Sequence, residues 1–225
     1  MKKRVIISIC LIVCFSYANS QIAIGPKSGI NFSTETFKMQ YEQDEKDAKK
    51  VPAIGYIFGG IFNVKINKLI TVQPEILFIQ KGARINSTID TYYSQITTNY
   101  LSGSLLTKFT HDYQSTTLFL DIGPYYGYWM DAKVKIRCEE KIMKFEYSFN
   151  DEPTKQVSAD NRFDFGLSLG GGISHNLGIG DVFFDIHYIH GFSDLRKYEG
   201  APYYSRLSNR SLAFSFGYLI YLTKS

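Results

Sequence analysis

The feature that most constrains this chain is the spacing of its alternating segments. Beyond residue 20 there is no long run of 3.6-residue periodicity. Eight stretches instead alternate with a period of two and are rich in Ile, Val, Phe, Tyr and Thr: 22–32, 53–65, 69–83, 99–109, 116–130, 162–174, 181–192 and 210–222. The connections after the first, third, fifth and seventh are long and polar (33–52, 84–98, 131–161, 193–209), whereas those after the second, fourth and sixth are short (66–68, 110–115, 175–180). An even number of antiparallel strands then gathers every long loop at one end, and every tight turn with both chain ends at the other. Long extracellular loops over short periplasmic turns are the plan of an outer-membrane barrel. The spacing predicts an all-β fold: an eight-stranded antiparallel up-and-down transmembrane β-barrel with both termini periplasmic.

The alternation also assigns faces. In the last segment Leu212, Phe214, Phe216, Tyr218, Ile220 and Leu222 share one side, and Ser211, Ala213, Ser215 and Gly217 share the other. The fifth, sixth and seventh segments repeat this division. A lipid-facing barrel needs apolar residues outside and polar or small ones inside; a soluble lipocalin-like barrel would reverse the faces. Leu77, Ile79, Phe119 and Phe183 fall on the inner side, which a filled lumen accommodates. Tyr125, Tyr126, Tyr128 and Trp129 read as an aromatic girdle where the fifth strand leaves the bilayer, with Tyr218 and Tyr221 near the opposite boundary. The inner face carries Lys27, Glu75, Lys81, Asp121, Arg162, Asp164, Asp185 and His187. Eight strands enclose only enough space for side chains, so these residues are expected to form a buried, mutually paired polar core. A pore is disfavoured by strand number.

The glycine run in Phe165-Gly166-Leu167-Ser168-Leu169-Gly170-Gly171-Gly172-Ile173-Ser174 fits the same plan. Gly166, Gly170 and Gly172 lie on the inner face and make room for bulky neighbours such as Tyr125 or Phe183; Gly171 breaks the lipid face where an adjacent aromatic would lie across it. A phosphate loop would need a following helix or Lys-Ser/Thr, and neither is present.

Residues 1–20 have the three parts of a secretory signal peptide: Lys2, Lys3 and Arg4, an apolar run from Val5 to Phe15, and a small-residue site at Ala18-Asn19-Ser20. Cleavage after Ser20 leaves the barrel domain as 21–225. It leaves 22 basic and 21 acidic residues, a net charge of +1, so no nucleic-acid partner is implied. Cys138 is then the only cysteine, which excludes an intrachain disulfide and a cysteine metal cluster. His111, His175, His187 and His190 form no recognised metal spacing, and no cofactor is expected.

His190 and Ser193 lie near the outer end of the seventh segment, with Ser205 and Ser208 in the last loop and Asp194 or Glu199 as an orienting acid. Nothing in the spacing demands catalysis, and rim polarity explains these residues better. In the 131–161 connection, Lys133-Val134-Lys135-Ile136-Arg137 and later Phe145, Tyr147 and Phe149 alternate as a hairpin extending the barrel.

Several segments resemble the recurring strands of PorT-like outer-membrane β-barrel proteins of the Bacteroidetes type: IAIGPKSGINFS at 22–33, TVQPEILFIQKGA at 71–83, DIGPYYGYW at 121–129, FDFGLSLGGGIS at 163–174 and SLAFSFGYLI at 211–220. The family's Tyr-Leu-Glu-Ile-Pro strand is here Tyr100-Leu101-Ser102-Gly103-Ser104, without the acid and the proline. The C-terminal segment is similar to the signal read by the outer-membrane assembly machinery, with Ser215, Gly217, Ile220 and Leu222 at its marked positions. The resemblance implies a non-enzymatic barrel in the outer membrane of a Gram-negative cell. Its partners would be membrane lipid, the assembly machinery and an extracellular or secretion-system protein. The expected role is structural or binding through long extracellular loops; an accessory subunit of a secretion or uptake system is the alternative, and an outer-rim hydrolase the third.

Overall fold

The computed structural model describes residues 21–39, 48–87, 92–138, 141–148, 161–195 and 204–223. Residues 1–20, and with them the expected signal segment, lie outside these. The strands are β1 (Gln21–Met39), β2 (Ala48–Lys65), β3 (Ile70–Ser87), β4 (Tyr92–Tyr113), β5 (Thr116–Cys138), β6 (Lys141–Ser148), β7 (Phe163–Asn176), β8 (Gly180–Gly191) and β9 (Tyr204–Tyr221). All pairings are antiparallel. Eight strands close in the order β1-β2-β3-β4-β5-β7-β8-β9, with β9 returning to β1. Closure leaves no sheet edge in the wall, which is the condition for a β-structure in lipid. The ninth strand, β6, pairs with Asp131–Cys138 of β5, so the hairpin read from the 131–161 connection is present.

Side-chain alternation builds the wall. Leu212, Phe216 and Ile220 of β9 are exposed, while Ser211, Ala213, Ser215 and Leu219 are buried. Leu118, Leu120, Ile122, Tyr126 and Tyr128 of β5, and Val182, Phe184, Ile186 and Tyr188 of β8, continue the outward apolar band. Inside, Ile57, Ile61, Leu77, Ile79, Tyr125, Phe183, Ile189 and Leu219 pack together. The tight turns use their polar residues: Asn67 accepts from the Leu69 and Ile70 amides at 2.8 Å, and Asn176 accepts from the Gly178 amide at 2.9 Å. Gly178 has φ +91°, a conformation that glycine adopts without strain.

The strands run further than the sequence suggests. A membrane crossing needs about 9–11 tilted residues, whereas β4 has 22 and β5 has 23. Most of the 84–98 stretch, expected as loop, is paired strand between β3 and β4. A bulge explains why β5 reads as ending near Met130. Asn99 pairs with Asp131 while Tyr100 pairs with Trp129, so Met130 is an extra residue. Inward positions are odd before it (Asp121, Tyr125) and even after it (Ala132), which interrupts the period. Beyond this level β1–β2 pairing stops at Ser33 and Ala53, and β5–β7 pairing stops at Tyr128 and Phe163. Strands β2 to β6 therefore continue past the barrel as one five-stranded blade.

Candidate functional site

The polar residues of the lumen gather into two connected clusters. Near mid-height, the Lys27 ammonium lies 3.1 Å from Glu75 and 2.9 Å from Asp185. Glu75 also accepts from Gln73 at 2.5 Å and from Ser104 at 2.9 Å. Lys108 donates to Gln73 at 2.8 Å and lies 3.6 Å above the Phe119 ring centre. The His187 imidazole Nε2 is 3.4 Å from Asp121 and 3.7 Å from Asp185, and its Nδ1 faces Ser168 at 3.4 Å. Towards the long-connection end, Lys81 pairs with Asp164 at 2.8 Å, framed by the Tyr100 and Tyr125 rings. Asp164 accepts further bonds from Tyr125 at 3.1 Å and Asn209 at 2.9 Å.

Seven of the eight expected lumen residues are placed in these clusters, and Arg162 is not. Arg162 precedes β7, is half-buried, and donates to the outward-facing Tyr128 hydroxyl at 3.0 Å. The inward alternation cannot be extended past the first strand residue, Phe163. Sequence reasoning missed Lys108, Gln73, Tyr100 and Asn209. Lys108 shares the inward parity of Ser102 and Leu106, but the small residues around Gly103 blur that alternation in the sequence. Of the two expectations for Tyr125 the inner one holds: it is buried in the lumen beside Gly166 rather than in the aromatic girdle, and Trp129 stacks on Tyr100. The acid missing from the Tyr100–Ser104 strand is met from across the sheet, where Glu75 of β3 takes the Ser104 hydroxyl.

Space inside is limited. A cavity of about 20 Å³ beside Lys27, Glu75 and His187 holds roughly one water. A wider one, about 280 Å³, opens at the tight-turn end above Lys108, Phe119 and Phe183. There, outside the membrane-spanning part, Tyr221 donates to Asp181, and Asn176 donates to both residues. Burial disfavours ionisation of Asp112 at this rim, but the Thr117 hydroxyl and the Lys65 ammonium outweigh it and lower its pKa.

The glycines of β7 are where the lumen fits its bulk. A Cβ at Gly166 would approach Tyr125 Cε1 to 2.7 Å, one at Gly172 would approach Phe119 Cζ to 2.6 Å, and one at Gly170 would overlap the His187 ring. Gly217 gives the same room to Phe183. On the outer side Gly171 is covered by Leu120, not by an aromatic. Gly170→Val should therefore destabilise the barrel by about 1–3 kcal/mol through overpacking, read as a lower urea midpoint in lipid vesicles. Gly60→Ala is the control, because a Cβ there meets nothing within 4 Å; equal midpoints for the two variants would contradict this packing.

The rim residues form no catalytic arrangement among the described residues. His190 is positioned by Tyr188 at 3.4 Å, whereas Ser193 is buried and accepts the Phe165 amide at 2.8 Å. Ser208 is buried in β9, and Glu199 and the Ser205 side chain lie outside what is described. Of the C-terminal positions, Ser215 is buried, Gly217 faces Phe183, and Ile220 and Leu222 are exposed.

Comparisons agree with this architecture. The barrel of OprG from Pseudomonas aeruginosa aligns with a TM-score of 0.51 at 10% identity, covering 89% of this chain and 95% of that one. Ail of Yersinia pestis (TM-score 0.41, 13% identity, 89% and 99% covered) and neisserial surface protein A (0.41, 10%, 88% and 96%) are more distant. No curated protein sequence matches the chain. The model of the outer membrane protein beta-barrel domain matches residues 16–197. The chain thus belongs to the outer membrane protein beta-barrel domain family and is a small, closed, eight-stranded barrel of the outer membrane.

Proposed function

We propose that this barrel is a non-enzymatic scaffold that binds a partner at the cell surface through the strands projecting from its long-connection end. The observation that carries this reading is the pairing of a filled lumen with overlong strands. Ion pairs and aromatic rings occupy the interior, so the wall serves as a rigid base, while the β2–β6 blade extends past it. Binding residues are commonly carried on projections from such bases. In this reading residues 1–20 are removed on export, both termini face the periplasm, and no cofactor takes part. The assembly machinery reads the last strand through Ser215, Gly217, Ile220 and Leu222.

The resemblance to PorT-like strands favours a narrower version, in which the partner is a component of a secretion or uptake system. A rim hydrolase is disfavoured by the separate engagements of His190 and Ser193.

Cys138 ends β5 and is the only cysteine after residue 20. A membrane-impermeant maleimide should label it on intact cells, and the purified barrel should show no steady conductance in a planar bilayer. Labelling only after permeabilisation would invert the orientation, and stable open channels would overturn the scaffold reading.

A further inference from the structure

Beyond the bulge at Met130 the odd positions of β5 turn outward: Asp131, half-buried, and then Lys133, Lys135 and Arg137, all exposed. The register extends this patch sideways. Lys135 faces the exposed Lys144 on β6 and Gln95 on β4, and Gln95 in turn faces the half-buried Arg84 on β3. Neighbouring strands lie about 4.8 Å apart and alternate residues about 6.6 Å apart, so five cations share one compact area. Asp131, the acid on the same side of β5, accepts from Asn99 at 2.7 Å, and Glu146 of β6 is the register partner of Lys133. The other side of the blade is apolar, with Ala132, Val134, Ile136 and Ile96 turned inward. Residues 21–225 carry a net charge of only +1, so this concentration does not follow from overall basicity.

The position of the patch selects its partner. It continues the outward face of the barrel directly beyond the exposed Tyr126 and Tyr128. Lys133 lies five residues past Tyr128, a rise of roughly 10–15 Å along a tilted strand. That is the depth at which headgroups end and the surface of the leaflet begins. Ile142, half-exposed and opposite Arg137, adds an apolar contact on the same side. A soluble polyanion would be met equally well by charges at the blade's tip; a membrane surface is met only by charges on this flank.

We propose that Lys133, Lys135, Arg137, Lys144 and Arg84 form a binding surface for the phosphates of anionic lipid headgroups in the outer leaflet. The blade is thereby braced against the membrane from which it rises. This rests on the proposed orientation for the choice of leaflet, but its lipid preference is measurable without it.

Trp129 is the only tryptophan and lies four residues before Lys133 on the same strand. The barrel would be reconstituted in phosphatidylcholine nanodiscs, with heat-modifiable migration confirming the fold. Brominated phosphatidylglycerol and brominated phosphatidylcholine are then compared as quenchers. Each cation near an anionic surface contributes about fivefold to partitioning. The expected result is stronger quenching by the anionic lipid, weakening as salt rises, with a preference that drops at least fivefold in K133Q/K135Q/R137Q. Lys68→Gln, at the tight-turn end, should leave the preference unchanged. Equal quenching by the two lipids, a preference intact in the triple variant, or binding of soluble heparin through these residues without lipid preference would each overturn the proposal. Inverted Cys138 labelling with the preference intact would overturn only the orientation and the leaflet.

Discussion

Lys81→Met is expected to destabilise the barrel by about 3–5 kcal/mol, the largest effect of any single lumen substitution considered. The ammonium and the Asp164 carboxylate are both fully buried and lie 2.8 Å apart. Methionine keeps the bulk between the Tyr100 and Tyr125 rings but removes the charge. Asp164 would retain its bonds from Tyr125 and Asn209, yet two neutral donors do not replace a cation in a water-poor interior. Breaking a buried pair costs this much because the remaining charge is left uncompensated, not because the pair itself is worth that amount. Hence the double variant K81M/D164N should regain at least half of the loss, since asparagine removes the charge and still offers an oxygen to Tyr125. Urea midpoints in lipid vesicles, followed by heat-modifiable migration, read both variants. A Lys81→Met midpoint within about 1 kcal/mol of wild type would mean a hydrated, screened lumen, and the filled-scaffold reading would fail with it.

The double variant separates two contributions that the geometry superimposes. Asp164 is the meeting point of β3, β4, β5 and β9 through Lys81, Tyr100 by way of Asn209, Tyr125 and Asn209 itself. If the cluster acts mainly as a register lock, K81M/D164N should unfold as one cooperative transition at a lower midpoint. If it acts mainly as a charge pair, cooperativity and midpoint should recover together. At mid-height Lys27 differs in pairing with two carboxylates, so single substitutions there divide the loss between Glu75 and Asp185.

These details were unevenly legible in the sequence, for physical reasons. Lipid imposes one chemistry on every outward position, so Leu212, Phe216, Leu118, Val182 and their like declare the wall by period alone. Seven of the eight residues expected inside lie there by that parity. Lys108 escaped because its strand, with Ser102, Gly103 and Ser104, has too little contrast between faces to announce a parity. Tyr125 carries two expectations, one in the girdle with Tyr126 and Tyr128 and one inside beside the β7 glycines; its contact with Gly166 and its buried bond to Asp164 place it inside. Arg162 has inward parity in the sequence, but β7 begins at Phe163, so that parity does not reach it. The projecting parts of β3, β4 and β5 look like loop in the sequence because neither of their faces meets the hydrocarbon core, and because one extra residue at Met130 reverses the alternation. Even the hairpin was visible only as a weak periodicity; its cationic flank needed the register to bring Arg84, Lys135 and Lys144 into one row.

Phe216→Arg tests the wall as Lys81→Met tests the interior. Phe216 is 63% exposed on β9, flanked by Ser28 of β1 and Phe184 of β8. Arginine at the bilayer midplane of a lipid face costs about 2–4 kcal/mol, falling to about 0–1 near the interfaces. The expected result is a lower yield of the heat-modifiable form and a urea midpoint reduced by that amount in vesicles. The same substitution at Leu222, beyond the end of β9, should cost far less, and at Ile220 an intermediate amount. This gradient is what distinguishes lipid from a merely apolar partner: a soluble protein packed on this face would penalise arginine by local fit, without regard to depth. A flat response across the three positions, or a Phe216→Arg barrel as stable as wild type, would remove the membrane midplane from this height of β9. The graded loss would fix the bilayer along the strand and, through the register from β9 around to β5, the level at which Lys133 leaves it.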